Sequence, residues 1–137
     1  MPALDQCHDQ VVHAFQKAGW QIDGQHYQLK YKAHTVFIDI AASRRINGTG
    51  HQILLAEVKC FPNPDSSTRE VYIAFGQCLV YRTMLLARGI DTPLYLVIPE
   101  AYYEQSFDLT LKQVLKDNQI HYITVNLDTE TLVKWNE

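Results

Sequence analysis

Asp39, Glu57 and Lys59 are the residues whose types and spacing could do chemistry. Glu57 and Lys59 stand two apart in Leu54-Leu55-Ala56-Glu57-Val58-Lys59-Cys60, an otherwise apolar run. Strand residues two apart point to the same side of a sheet. Asp39 is the single acid in Thr35-Val36-Phe37-Ile38-Asp39-Ile40-Ala41, a second apolar and β-branched run. Ionisable groups in buried strands are costly unless they pair or hold an ion. Two carboxylates a few ångströms apart repel unless a hard divalent cation lies between them, and Mg²⁺ typically takes one or two carboxylates while keeping water or phosphate oxygen in the rest of its shell. Such an ion activates water and stabilises a phosphoryl transition state, and a nearby Lys orients the nucleophile or neutralises charge. The expected centre is Mg²⁺ (or Mn²⁺) held by Asp39, Glu57 and the carbonyl of Val58, with Lys59 beside it. The plainer alternative is a buried salt-bridge network in which Lys59 neutralises one acid and Asp39 caps a loop, although ion triads of that kind often stabilise no better than apolar replacements.

One hairpin must position these groups. Arg44 to Gln52 is polar and holds Asn47-Gly48 and Gly50, so the two runs most simply form antiparallel neighbours. A strict two-residue Asn47-Gly48 turn would set Asp39 opposite Ala56 and send Glu57 and Lys59 to the other face. A loop centred on Gly48 sets Asp39 opposite Glu57 and gathers the buried charges at one place. The second register is predicted.

The remaining elements follow from periodicity. Ala3 to Ala18 repeats apolar residues at three- and four-residue steps up to Gly19, an amphipathic helix. His8 falls on its apolar stripe and Asp5 and Asp9 on the border, and a capping Asp with a boundary His is the plain reading beside an active-site role. Trp20-Gln21-Ile22 and Tyr27 to Tyr31 alternate as half-buried strands, with Asp23-Gly24 as a turn between them. Phe61 to Thr68 is a Pro-rich loop. Thr68 to Gly89 is a long helix, apolar over so much of its surface that it should be covered on most sides. Leu94 to Ile98 is a buried strand ended by Pro99, Phe107 to Lys116 an amphipathic helix, and Ile120 to Val125 a strand, with a short edge strand as an option over Thr131 to Trp135. The order αβββαβαβ implies an α/β fold: one mixed sheet, antiparallel early and parallel late, with helices on both faces.

Composition sets the bounds. At 137 residues the chain fits a single domain, 1–137, with a core of useful size. A formal charge of −3 argues against tight nonspecific binding to nucleic acid and leaves any DNA contact to local Lys/Arg placement. Cys7, Cys60 and Cys78 are an odd set without C-x-x-C spacing, read as reduced core thiols. No apolar run approaches the roughly 20 residues of a membrane span, so a cytoplasmic protein without membrane partners is expected.

Asp39 with Glu57-Val58-Lys59 on adjacent strands resembles the PD-(D/E)XK pattern of restriction-endonuclease-like folds, without a Pro before the Asp. Gln77-Cys78-Leu79-Val80-Tyr81 is similar to the Q-x-x-x-Y element of some of its branches, and Gln77 and Tyr81 lie one helical turn apart. Tyr27-Gln28-Leu29-Lys30-Tyr31, Ile38-Asp39-Ile40, Ala56-Glu57-Val58-Lys59, Phe75 to Arg82, Tyr95 to Pro99 and Val133-Lys134-Trp135, with the opening Met1-Pro2-Ala3, Asp5 and His8-Asp9, together resemble the XisH family of small cyanobacterial fdxN element excision-controlling factors. The likeness covers almost the whole chain. It implies a restriction-endonuclease-like fold, a role in controlling site-specific excision of a DNA element, and association with an XisI-type companion.

Two functional classes follow from the resemblance. One is a Mg²⁺-dependent endodeoxyribonuclease in which Asp39 and Glu57 hold the metal, Lys59 positions the attacking water, Gln77 assists and Tyr81 faces the same site. The other is a noncatalytic regulator that binds DNA or a partner through the same scaffold. Cutting both strands needs two sites, which favours a homodimer. Gln77 and Tyr81 also admit a reading as packing plus a backbone hydrogen bond. Arg44, Arg45, Lys30 and Lys32 read either as a phosphate-facing rim or as solvated charges, and Tyr102-Tyr103 as a base-stacking pair or, better, as burial at a strand-to-helix junction.

Overall fold

The computed structural model describes residues 6–48, 50–62 and 67–136. The expectations for residues 1–5, and for Asn63, Pro64 and Asp65 of the Pro-rich loop, lie outside the described residues. Ten elements follow in order: α1 (His8–Lys17), β1 (Gln21–Tyr31), β2 (His34–Arg45), β3 (His51–Val58), α2 (Ser67–Ala87), β4 (Leu94–Pro99), α3 (Glu100–Ser106), α4 (Leu109–Asp117), β5 (His121–Asn126) and β6 (Thr131–Asn136). The six strands form one sheet in chain order. β1, β2 and β3 pair antiparallel, β3, β4 and β5 pair parallel, and β6 closes the edge antiparallel to β5.

Strand alternation sorts the core into two layers. Leu54, Ala56 and Val58 of β3, with Tyr95 and Val97 of β4 and Ile123 and Val125 of β5, pack with Val11, Val12, Ala14 and Phe15 of α1. Leu55, Leu94, Leu96, Ile98 and Tyr122 point the other way, against α2 and against Tyr103, Phe107 and Leu115 of the α3–α4 segment. Helices therefore cover both faces, as expected. Trp135 of β6 stacks on Trp20 at 5.7 Å, and Phe15 meets both rings edge-on.

Several local expectations change. Asp23-Gly24 makes no turn: β1 runs through it, and the register merely shifts between Ile22 and Gly24, so a turn-forming pair is absorbed as an irregularity in a strand held by β2. α3 is an added helix that begins directly after Pro99. α4 starts later than Phe107 because the Asp108 carboxylate accepts the Leu111 N–H at 2.9 Å and caps it, which leaves Leu109 exposed. α2 is not covered on most sides: Val71, Ala74, Phe75, Cys78, Tyr81, Met84 and Leu85 are buried, while Tyr72, Ile73, Val80 and Leu86 stay open. Its apolar residues exceed what one sheet face can cover.

The cysteines divide. Cys78 is free and buried, as read from the sequence. Cys7 and Cys60, expected as reduced thiols, instead form a disulfide, with Cα atoms 6.0 Å apart. Cys60 continues the even-numbered β3 residues that face α1, and Cys7 is the N-cap of that helix, so the fold brings together two thiols separated by 53 residues.

Candidate functional site

The β2–β3 ladder pairs Ile40 with Ala56 and ends with Arg45 opposite His51, a register centred on position 48. Gly48 sits there at φ +93°, a conformation that glycine takes without strain, and the Ile46 N–H donates to the Gly50 carbonyl to close the loop. Carried one step beyond Ile40 and Ala56, this register sets Asp39 beside Glu57. The Val58 N–H donates to Asp39 Oδ2 at 2.8 Å, which ties the acid of β2 to the main chain of β3.

Asp39 lies at an irregularity. Ile40 and Ala42 belong to the α1 layer, whereas Ile38 packs in the α2 layer, so the alternation of β2 breaks at the acid itself. On β1 the residue between the pairs Gln25–Ile40 and Tyr27–Ile38 is His26, at φ +59°. A backbone distortion across β1 and β2 thus frees Asp39 to turn toward Glu57.

Glu57 is 4% exposed. Its Oε2 lies 3.8 Å from Lys59 Nζ, and its Oε1 is buried without a hydrogen-bond partner among the described residues. Burial pushes the Glu57 carboxyl up to about 8, the negative charge of Asp39 adds to that rise, and the Lys59 ammonium opposes it. One ammonium thus faces two acids, and burial beside Asp39 holds Glu57 largely uncharged.

α2 roofs the pair. Burial, then the charges of Glu57 and Asp39, push the Tyr81 hydroxyl up to about 12, which places the ring within their field. Gln77 lies one turn before Tyr81 on the same helix, and its Oε1 is buried with no hydrogen-bond partner among the described residues. Cys78, between them, is a neighbour that the sequence did not single out for the site: burial and Glu57 push its thiol up to about 12. Its only signal was its place inside the Gln77–Tyr81 segment.

The structure thus brings Asp39, Glu57, Val58 and Lys59 together, with Tyr81 close by, and leaves other candidates elsewhere. Arg44 stacks over Trp20 at 4.5 Å and its Nε donates to Gln52. Arg44 and Arg45 end β2 five and six residues beyond Asp39, roughly 17–20 Å at strand rise, and Lys30 and Lys32 lie toward the opposite end near Thr35 and His34. These four do not form one rim. Tyr102 stacks on Phe61 at 4.5 Å, and the Tyr103 hydroxyl shares a 2.8 Å hydrogen bond with Tyr122, so burial describes this pair. His8 is buried rather than at a boundary, with Nε2 2.6 Å from Gln25 Oε1. Among the described residues no group of three His, Cys, Asp or Glu side chains gathers for a metal ion, so any cation here relies on two carboxylates and main-chain oxygen. No described helix is long and apolar enough to cross a membrane.

Fold and site define a small mixed α/β protein with two carboxylates and a lysine set between its central antiparallel strands and a long covering helix. The sequence profile of the XisH protein family matches residues 1–133, and the chain belongs to that family. It is similar to the crystal structure of an XisH family protein from Nostoc punctiforme, at 28% identity and a TM-score of 0.84 over 97% of this chain and all (100%) of that one. It is also similar to the structure of a fdxN element excision controlling factor protein from Anabaena variabilis, at 29% identity and a TM-score of 0.83 over 95% of this chain and 97% of that one. No curated protein matches the chain.

Proposed function

We propose that this protein controls excision of a DNA element, and that it does so on a PD-(D/E)XK-type scaffold with a Mg²⁺ or Mn²⁺ site at Asp39, Glu57 and the Val58 carbonyl. The excision role is supported by the family and by the name of the Anabaena variabilis neighbour. The metal reading rests on one observation above all: a buried Glu57 oxygen, without a hydrogen-bond partner among the described residues, beside a second carboxylate. A hard divalent cation is the partner that such an arrangement lacks.

A bound cation would supply a Lewis acid and a more acidic water. The protein's own groups do the rest. Lys59, already 3.8 Å from Glu57, is placed to hold the attacking water and receive charge. Asp39 is fixed by the Val58 amide, which limits reorganisation during the reaction. The Tyr81 hydroxyl stays protonated and offers a donor, and Gln77 offers an amide whose oxygen has no partner among the described residues. The substrate class is DNA, the companion an XisI-type protein, and double-strand cutting would use a homodimer.

A second reading has its own support. Asp39 accepts from Val58, Lys59 neighbours Glu57, and the chain carries net charge −3, so the cluster also serves a noncatalytic regulator that binds a partner. Incubating the protein with supercoiled and branched DNA and Mg²⁺ or Mn²⁺, beside Lys59→Ala, separates the two. Metal-dependent cleavage lost in the variant supports the nuclease. No cleavage by either, with companion binding intact, supports the regulator.

A further inference from the structure

A broad concavity lies away from the carboxylates. Between the C-terminal half of α2, helix α4 and the start of β5 there is a cleft of about 880 Å³, within the size range of small-molecule sites. Leu86 offers its exposed apolar part above the buried Leu115 and Ile120, and Arg82, Lys112 and Lys116 bring three cationic side chains to it. No described carboxylate lines it. In a chain of net charge −3, this is a local concentration of the minority charge.

The cations are held without being neutralised. Arg82 Nη1 donates to the Gln119 carbonyl at 2.8 Å, which fixes the guanidinium and leaves its other N–H groups available. Lys112 Nζ lies 4.9 Å over the Tyr103 ring, a contact that positions an ammonium without cancelling its charge. Among the described residues neither lysine nor Arg82 forms an ion pair. His121 Nδ1, at the mouth of β5, is buried with no partner among the described residues. A smaller groove of about 210 Å³ continues past Arg82 and His121 to Asp91, where a carboxylate meets the opening.

We infer that this cleft binds a phosphate-bearing small molecule of the nucleoside diphosphate class. The three cations match a diphosphate, which prefers fixed guanidinium and ammonium donors. The exposed Leu86 side chain, which lines both openings, suits a flat base, and Asp91 supplies an acceptor for sugar hydroxyls. A concave apolar floor within a cationic rim favours a small ligand over a polymer backbone, which lies along an extended track of charge. The site is separate from the proposed metal centre: in the sheet register Glu57 aligns with Leu96 and Leu96 with Tyr122, two strand spacings or about 10 Å across.

The test is titration of the full chain with ADP in the absence of divalent metal, followed by calorimetry and by amide NMR. Saturable binding is expected, with shifts at Arg82, Gln119 and His121, weaker binding of pyrophosphate or adenosine alone, and a loss of about tenfold in Lys116→Glu. Lys116 is exposed, so this variant keeps the fold, and Lys112→Gln provides a second, milder reading. The inference is overturned if ADP does not bind at millimolar concentration, if Lys116→Glu and Lys112→Gln bind it like the parent, or if binding is lost in Asp39→Asn instead. Binding of a single-stranded oligonucleotide through the same lysines, with no binding of ADP, also overturns it.

Discussion

Asp39 and Val58 meet side chain to main chain, Oδ2 accepting the amide N–H at 2.8 Å, and this single bond records the register on which the candidate site depends. A shift of one residue would turn Glu57 and Lys59 to the α1 layer, where Ala56 and Val58 now pack.

Gly48 is the pivot of that register. Its φ of +93° is open to glycine and strained for a β-branched residue, although a Cβ there meets no atom within 4 Å. Gly48→Val should therefore destabilise through backbone strain alone, by about 1–2 kcal/mol in urea unfolding. Gly48→Asn should cost less, because Asn tolerates left-handed backbone.

Glu57 makes stability depend on pH in the direction opposite to an ordinary salt-bridged acid. Its folded value of about 8 lies above the ordinary value of 4.5, so between these the folded chain binds the extra proton. The stability contribution is present below about 4.5 and is lost as pH rises toward 8. Glu57→Gln should flatten this slope and, without metal, stabilise the protein near pH 8 by on the order of a few kcal/mol. Chemical denaturation at a series of pH values reads it. An unchanged slope would place Glu57 in water rather than in the core.

The Cys7–Cys60 bond closes a loop of 53 residues from α1 across the first three strands. Chain entropy for a loop of that length gives about 4 kcal/mol. A reducing agent, or Cys7→Ser, should lower the melting temperature by on the order of 10 °C. Cys78→Ser should leave the response to reductant unchanged, because that thiol is free.

Much of the architecture was legible because it follows from pattern. Helical and strand periods located α1, α2, β4 and β5, and the cost of scattering buried charges favours a loop centred on Gly48 over a two-residue turn. Other features depend on distant neighbours. Asp23-Gly24 carries a local turn signal, but pairing along β2 outweighs it. The break of alternation at Asp39 depends on His26 in the adjacent strand, and no run of residues in β2 announces it. Cys7 and Cys60 are joined by the packing of α1 on β3, which sequence spacing does not encode. The open face of α2 shows the limit of composition, which reports how apolar a helix is and not how much of it the sheet can reach.

The central claim is that Asp39 and Glu57 form a cation site, and direct Mn²⁺ titration followed by electron paramagnetic resonance tests it. One bound ion per chain is expected. Asp39→Asn, which keeps an oxygen acceptor for the Val58 amide, should remain folded and lose that ion, and Glu57→Gln should lose it too. A parent that leaves all Mn²⁺ free, or a folded Asp39→Asn variant that binds it as tightly as the parent, would contradict the claim.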